Sequence, residues 1–305
     1  MNRWIAHETS RATREVTEAI EAYRFNDAAN ATYRFVWNVY CDWYLELAKP
    51  VLMGEEGDAK AETRAMVAWA RDEILKLLHP FMPFITEELW AVTAKREGLL
   101  ALAPWSRKAN ELTPEQVALM AAASPIEPIP ALALPIVDTA DFTDPAAEAE
   151  IGWVVDLVTA IRSVRAEMNI PPATLTSLVL SGTSAETRER APRWSDVIKR
   201  MARLSDISFA DRAPEGSVQL LVRGEVASLP LKGVIDLSAE KARLDKELAK
   251  ADADIKRVDA KLANEKFVAN APEEVVEEEK EKREAASTRK AKILEAIERL
   301  KGVES

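Results

Sequence analysis

The chain has 305 residues, 48% of them hydrophobic and 30% charged, enough for a sizeable core divided among two or three units. Its formal net charge of −10 argues against a surface built for wholesale phosphate neutralisation, so any contact with a nucleic acid has to be local. No apolar run approaches the ~20 residues that cross a bilayer, the opening MNRWIAHETSR lacks the apolar core of a secretory signal, and the lone Cys41 has no disulfide partner and no His or Cys at metal-ligand spacing. A cytoplasmic chain, without a metal and with Cys41 as a buried free thiol, is the expectation.

Residues 4 to 22 predict a polar helix. Asn26 is placed to cap the next one, where Ala28, Ala29, Tyr33, Val36, Trp37, Tyr40 and Tyr44 recur at steps of three and four until Pro50 and the GEEG turn. A third helix is expected over about 59–78, broken by His79-Pro80 and Pro83, and a fourth over about 86–96, stopped at Gly98. These make a helical bundle over 1–103. Residues 104–146 read as a Pro-rich linker, with a short helix opened by the capping box Thr113-Pro114-Glu115-Gln116. Over 147–236 the pattern is a connecting helix, opened by Asp144-Pro145, and a small α+β module. Its strands are LTSLVLS, SDISFA, SVQLLVR and EVASLPLKGVI; a helix spans Glu186 to Leu204, and a tight turn falls at Gly224-Glu225. From 237 to 302, Leu237, Leu244, Leu248, Ala251, Ile255, Val258 and Leu262 form one apolar seam, and Ala286, Ile293, Ile297 and Leu300 a second. Pro272 between them can begin a helix but not sit inside one, so an antiparallel coiled-coil hairpin is expected. Its tip falls near Phe267 to Ala271, with looser pairing at Glu279 and Arg283. The fold class is mainly α.

No catalytic constellation is apparent. There are two histidines, no nucleophile motif and no Gly-rich phosphate loop, so neither catalytic, cofactor-binding nor metal-ligating residues are assigned. His7 reads as a surface residue, His79 as an imidazole bonded to backbone at a helix end, and Glu87 and Glu88 as solvent or cap groups. Most of the rings between Tyr33 and Tyr44 read as core. One or two exposed members could stack on an unpaired base, with Arg34 and Asn38, one helical turn apart, offering edge or phosphate contacts. Along the last third, Lys241, Arg243, Lys246, Lys250, Lys256, Arg257, Lys261 and Lys266 could follow a nucleic-acid backbone, although each stands among acidic neighbours. Phe267 is apolar at an end that no core reaches.

Several segments together resemble valyl-tRNA synthetases: NRWI at 2–5, Tyr23-Arg24-Phe25, CDWYLELAKP at 41–50, LLHPFMPF at 77–84, IRSVRAEMNIPP at 161–172 and FVANAPEEVVEEE at 267–279. The bundle segments are shared with isoleucyl and leucyl relatives, whereas an arm with this tip is specific to the valyl type. The resemblance implies a C-terminal part of the synthetase, in which the bundle reads the anticodon and the arm touches the outer corner of tRNA(Val). It places anticodon contacts at Arg34, Trp37 and Asn38 and arm contacts at Lys256, Arg257, Lys261, Lys266 and Phe267. Nothing resembles the HIGH-like and KMSKS-like signatures or the editing domain, so the ATP- and Mg-dependent chemistry is expected outside these residues. The expected chain is a monomer, inactive by itself, whose partner is tRNA(Val); the catalytic half is either a separate chain, which would be a second partner, or lost. The competing readings are a non-enzymatic coiled-coil interaction protein and a degenerate synthetase remnant.

Overall fold

The computed structural model describes residues 1–96, 98–105, 142–234, 237–264 and 272–304, and the chain divides into two units, Met1–Gly152 and Trp153–Ser305. No helix among the described residues is long and apolar enough to cross a membrane.

In the first unit, α1 (Asn2–Glu21) buries Trp4, Ile5, Ala12, Val16 and Ala19. It closes with a Schellman turn, in which the N–H of Arg24 donates to the Ala19 carbonyl at 2.8 Å and that of Tyr23 to Ile20 at 2.9 Å. The turn needs a left-handed residue, and Tyr23 (φ 57°) stands where glycine is usual. It delivers the chain directly into α2 (Phe25–Arg34), so Asn26 lies inside the first turn and makes no cap. α2 continues without a break through a π-helical segment, Phe35–Tyr44, into α3 (Leu45–Met53). Pro50 lies inside α3 and does not end it. A proline removes one backbone bond from a helix already anchored by the buried Leu47 and Ala48.

The π segment overturns the regular periodicity. Its bonds span five residues, as in the N–H of Leu45 to the Tyr40 carbonyl, and the buried positions jump by five from Phe35 to Tyr40 before resuming at Tyr44 and Leu47. Tyr40 and Tyr44 are therefore core. The Tyr44 hydroxyl donates to Asn2 Oδ1 at 3.0 Å and that of Tyr40 to the Val67 carbonyl at 3.1 Å. These bonds tie the segment to α1 and to α4 (Asp58–Leu78). Burial pushes the Tyr40 phenol up to about 12 and raises that of Tyr44 as well.

α5 (Pro83–Thr93) packs on α4 and starts earlier than expected, because Pro83 suits the first helical turn. It ends at Thr93, not Arg96. Arg96 folds back with its guanidinium 3.5 Å from the Trp90 ring centroid, donates to the Trp90 carbonyl and holds both oxygens of Asp72 at 2.7 and 2.8 Å. Glu87 caps the 3₁₀ turn Leu100–Leu102, accepting the N–H groups of Leu100 and Ala101. His79 bonds a hydroxyl, not backbone: Thr86 Oγ1 donates to the Met82 carbonyl and lies 2.8 Å from His79 Nδ1, which makes Nδ1 the donor. Cys41 is half-buried, less than expected, and burial pushes its thiol upward, which leaves little reactive thiolate. Asp144 opens α6 (Pro145–Glu167) by accepting the N–H of Ala147 at 3.0 Å.

In the second unit, α6 ends in another Schellman turn, with Asn169 left-handed (φ 49°) and the N–H of Ile170 on the Arg165 carbonyl at 2.8 Å. The buried Arg165 guanidinium donates to the carbonyls of Pro171 at 3.1 Å and Thr174 at 2.7 Å and to the Thr176 hydroxyl at 3.3 Å. It thereby fixes the passage from α6 into β1. The sheet runs β2 (Leu204–Ala210), β1 (Thr176–Ser181), β4 (Glu225–Pro230), β3 (Ser217–Val222), with β1 and β2 parallel and the other pairs antiparallel. The single helix expected over 186–204 is two, α7 (Ala185–Arg193) and α8 (Ser195–Ala202), separated by Trp194 after Pro192. The hairpin turn lies one residue earlier than expected: Val222 pairs with Glu225, leaving Arg223 (φ 48°) and Gly224 (φ 86°), the two positive φ values of a type I′ turn.

α9 (Leu237–Leu262) and α10 (Glu273–Glu304) pack as the expected hairpin. Leu244, Ala251 and Val258, a heptad apart, face a seam to which α10 contributes Ile293, Ala296, Ile297 and Leu300. The looser pairing expected at Glu279 and Arg283 is instead an ionic continuation of the seam. Buried Glu279 accepts Lys261 at 3.2 Å, Arg283 donates to Asp259 at 2.6 Å, and Lys290 reaches Asp252 at 2.7 Å, so partners descend one helix as they ascend the other. The hairpin tip at Phe267 to Ala271 and the capping box at Thr113 to Gln116 lie outside the described residues.

Tyr44→Phe, which strands Asn2 Oδ1, is expected to cost about 1 kcal/mol, and Tyr44→Ala, which empties a core site, about 3–5 kcal/mol. Urea unfolding of the two variants measures the difference. Arg165→Met takes the donor from the Pro171 and Thr174 carbonyls and from the buried Thr176 hydroxyl and is expected to cost about 1–3 kcal/mol in the second unit. Faster amide exchange over 171–176 would be its local signature.

Candidate nucleic-acid interface

The π segment brings Tyr40 and Tyr44 into the core. Of the rings between Tyr33 and Tyr44, Phe35, Tyr40 and Tyr44 are buried and Trp43 is half-buried, while Tyr33 (62% exposed) and Trp37 (55%) face solvent. They stack on each other with centroids 6.4 Å apart and planes 7° from parallel. Tyr23 and Phe25, exposed at the turn between α1 and α2, meet edge to face at 6.2 Å. Both pairs present aromatic surface to water, and π-faces accept any base. Arg34 and Asn38 are exposed on the same column, Arg34 within 3.4 Å of Glu15. The exposed pairing holds Arg34 weakly, so the guanidinium is available to a phosphate. Periodicity alone had placed Tyr33 and Trp37 on the apolar face and had given Tyr23 and Phe25 no role. The non-glycine Schellman position, Tyr23 two residues after the last helical turn, is the signal that could have found the second pair.

His7 is buried, not a surface group. Its Nδ1 accepts the Asp144 N–H at 3.0 Å, so the proton sits on Nε2, 3.5 Å from Glu148 Oε2. Arg11 binds Glu8 and reaches Glu148 at 3.1 Å, and Arg3 donates to Asp144 at 2.6 Å. His7, Glu8 and Glu148 hold ligand atoms within 4.8 Å of one another, a spacing a metal could use. Those donors are already committed to a backbone N–H and to Arg11, so the cluster works as a latch between α1 and the start of α6. Burial lowers the His7 pKa and raises that of Glu8, while the Ala147 N–H and Arg3 hold Asp144 below the usual carboxylate range.

On the arm, Arg257 pairs with Asp254 at 3.1 Å and Lys261 with Glu279. Lys246, Lys250 and Lys256 are exposed on α9 and make no ion pair among the described residues. Lys266 and Phe267 lie outside those residues.

Comparison with known proteins bears on both surfaces. A family model described as the anticodon-binding domain of tRNA ligase matches residues 2–180, more than half the chain, and one described as the valyl tRNA synthetase tRNA binding arm matches 236–301. The chain belongs to the valyl-tRNA synthetases. It is 80% identical over 304 residues to the valine–tRNA ligase of Bradyrhizobium diazoefficiens, a match covering 99% of this chain and 32% of that protein. The valine–tRNA ligase of Rhodopseudomonas palustris is 77% identical over the same shares, and that of Agrobacterium fabrum 45% identical over 98% of this chain and 29% of its own length. The chain thus spans about a third of the length of the relatives it matches, the portion that carries the anticodon-binding and arm matches. Tyr23, Phe25, Tyr33 and Trp37 fall inside the anticodon-domain match, and Lys246, Lys250 and Lys256 inside the arm match.

The His7 latch has a signed pH dependence. Above about 6.5 the imidazole is neutral in both the folded and unfolded states; below it the unfolded chain takes up a proton that the buried ring resists, so stability falls as pH falls. Glu8, raised on folding, acts in the opposite sense nearer the carboxylate range. Unfolding free energy is expected to drop between about pH 7 and 5.5, and His7→Gln to flatten that drop. An undiminished slope in the variant would assign it to other groups.

Proposed function

We propose that this chain is a tRNA(Val)-recognition module serving ATP-dependent attachment of valine to tRNA. The observation that carries the reading is the stacked, exposed Tyr33–Trp37 pair, flanked by Arg34 and Asn38, inside a domain matched as anticodon-binding. In this reading an unstacked anticodon base lies on Trp37 or Tyr23, and Arg34 and Asn38 contact its edge or phosphate. Lys246, Lys250 and Lys256 track the RNA backbone along the arm, with Arg257 and Lys261 beside them, both exposed and held only by ion pairs within the hairpin. Valine activation, with ATP and Mg²⁺, belongs to the part of the synthetase these residues do not span; no cofactor is assigned to this chain, and the catalytic portion is its functional partner, on the same or a separate polypeptide. A cytoplasmic location and a monomeric state complete the proposal. The folded-back hairpin satisfies its own seam, which supports the monomer.

Filter retention of tRNA(Val) against a non-cognate tRNA at two salt concentrations tests the reading. Preference for tRNA(Val) is expected; equal retention that collapses at higher salt would reduce the function to the lysine stripe, and no retention would sink it. Trp37→Ala is expected to weaken binding about tenfold, within the usual worth of one stacked base. Replacing Lys246, Lys250 and Lys256 by Gln should lower the salt slope by about one per contacting cation, uniformly across tRNAs. Tyr23→Gly should weaken binding while raising stability by about 1 kcal/mol, because glycine relieves the left-handed backbone. A thermal melt run beside the retention assay separates the two effects.

A further inference from the structure

Residues 188–203, on α7, α8 and the residue that ends α8, carry six cations and two acids in a chain whose net charge is −10. By contrast α9, the basic helix of the arm, sets seven cations among six acids. Arg190 is buried and bound to Glu186, so the helix pair still presents five cations against Glu189 and Asp196. α8 concentrates them. It buries Ile198, Met201 and Ala202 and packs on β2, which turns Asp196, Lys199, Arg200 and Arg203, spaced by three and four, to its other side. The one acid in that column, Asp196, is fully exposed and holds Lys199 at 3.5 Å, a weak pairing. Arg162 on α6 donates to the Met201 carbonyl at 3.1 Å and holds the C-terminal end of α8 in place. Arg203 occupies the left-handed position (φ 57°) that ends α8, where glycine is usual. Its carbonyl accepts the Thr176 N–H at 3.3 Å, a bond that glycine would keep. A strained backbone is thus maintained under an exposed cation, and strain of this kind gathers at functional positions.

Guanidinium forks match pairs of phosphate oxygens. No large apolar side chain between 185 and 203 is exposed, so the surface lacks the inserting groups of a membrane-binding helix. The matches on either side, 2–180 and 236–301, are described as anticodon-binding and tRNA-binding, whereas 185–203 lies in neither. We infer that the outer column of α8, Lys199, Arg200 and Arg203, with Arg193 just before it in the chain, is a further RNA contact that takes the sugar–phosphate backbone of the bound tRNA. The inference rests on the reading of the chain as a tRNA-binding module. The surface lies on the β2 side of the sheet, while α10 contacts β3 at the other edge, so it is separate from the lysines of the arm. Its contacts fix the position of the RNA and carry no base information.

Phenylglyoxal labelling of the whole chain, read by peptide mass with and without tRNA(Val), tests it. Labelling of Arg200 and Arg203 is expected to fall about fivefold in saturating tRNA, because a guanidinium bound to phosphate is closed to the reagent. Unchanged labelling of both would overturn the inference. The triple replacement Lys199→Gln, Arg200→Gln, Arg203→Gln should lower the salt slope of retention by about two to three, about one per phosphate contact, equally for tRNA(Val) and a non-cognate tRNA. An unaltered slope would also count against it. Arg203→Gly alone should lower the slope by about one while raising the melting temperature, a combination that a purely structural role does not give. Protection of the two arginines by phosphatidylserine vesicles but not by tRNA would give the surface to a membrane and overturn the RNA contact. If the unaltered chain retains no tRNA, the recognition reading fails and this inference with it. If it retains tRNA with Arg200 and Arg203 still labelled, this inference alone fails.

Discussion

Two buried phenols organise the first unit. A tyrosine hydroxyl removed from water needs a partner, and the partners here sit on two helices: Asn2 on α1 for Tyr44 and the Val67 carbonyl on α4 for Tyr40. Reaching both from one column requires the buried face to advance by five residues between Phe35 and Tyr40, which the π-helical segment supplies. The same shift turns Tyr40 and Tyr44 into the core, while Tyr33 and Trp37, each two residues beyond a buried position (Ala31 and Phe35), stay on the opposite side of the helix.

Polar groups do comparable work elsewhere by being satisfied locally. Arg165 spends its guanidinium on the carbonyls of the turn into β1, and His7 with Arg3 and Arg11 ties α1 to the start of α6. On the arm, ion pairs replace the apolar seam where it runs out, at Glu279 with Lys261 and at Asp259 with Arg283. The Asp259–Arg283 pair is half-exposed and contributes little stability, whereas Lys261 meets a carboxylate that is itself buried. Their effect is on the register of the two helices.

The first unit also shows how an all-helical bundle can carry two chemistries on different faces. Around Tyr23, Tyr33 and Trp37 the exposed surface is aromatic with cations nearby; along α5 it joins Phe84 to aliphatic Ile85, Leu89 and Val92, with glutamates and no cation.

The bundle, the small α+β module and the hairpin were legible in the sequence because each rests on local rules: steps of three and four, alternation, a heptad seam and a proline between two seams. The family was legible from short segments such as CDWYLELAKP. Boundaries at Asn26, Pro50 and Trp194 were misread where a local signal met a stronger tertiary demand. The burial of Tyr40 and Tyr44 was beyond local pattern, because a π segment changes the face without changing the composition. The burial of His7 was equally hidden, since its backbone donor lies 137 residues away at Asp144. The sequence by itself determined the elements and the kinship. Only the tertiary structure decided which aromatics are core, which lysines pair across the hairpin and which helix is left exposed, because those depend on partners distant in the chain.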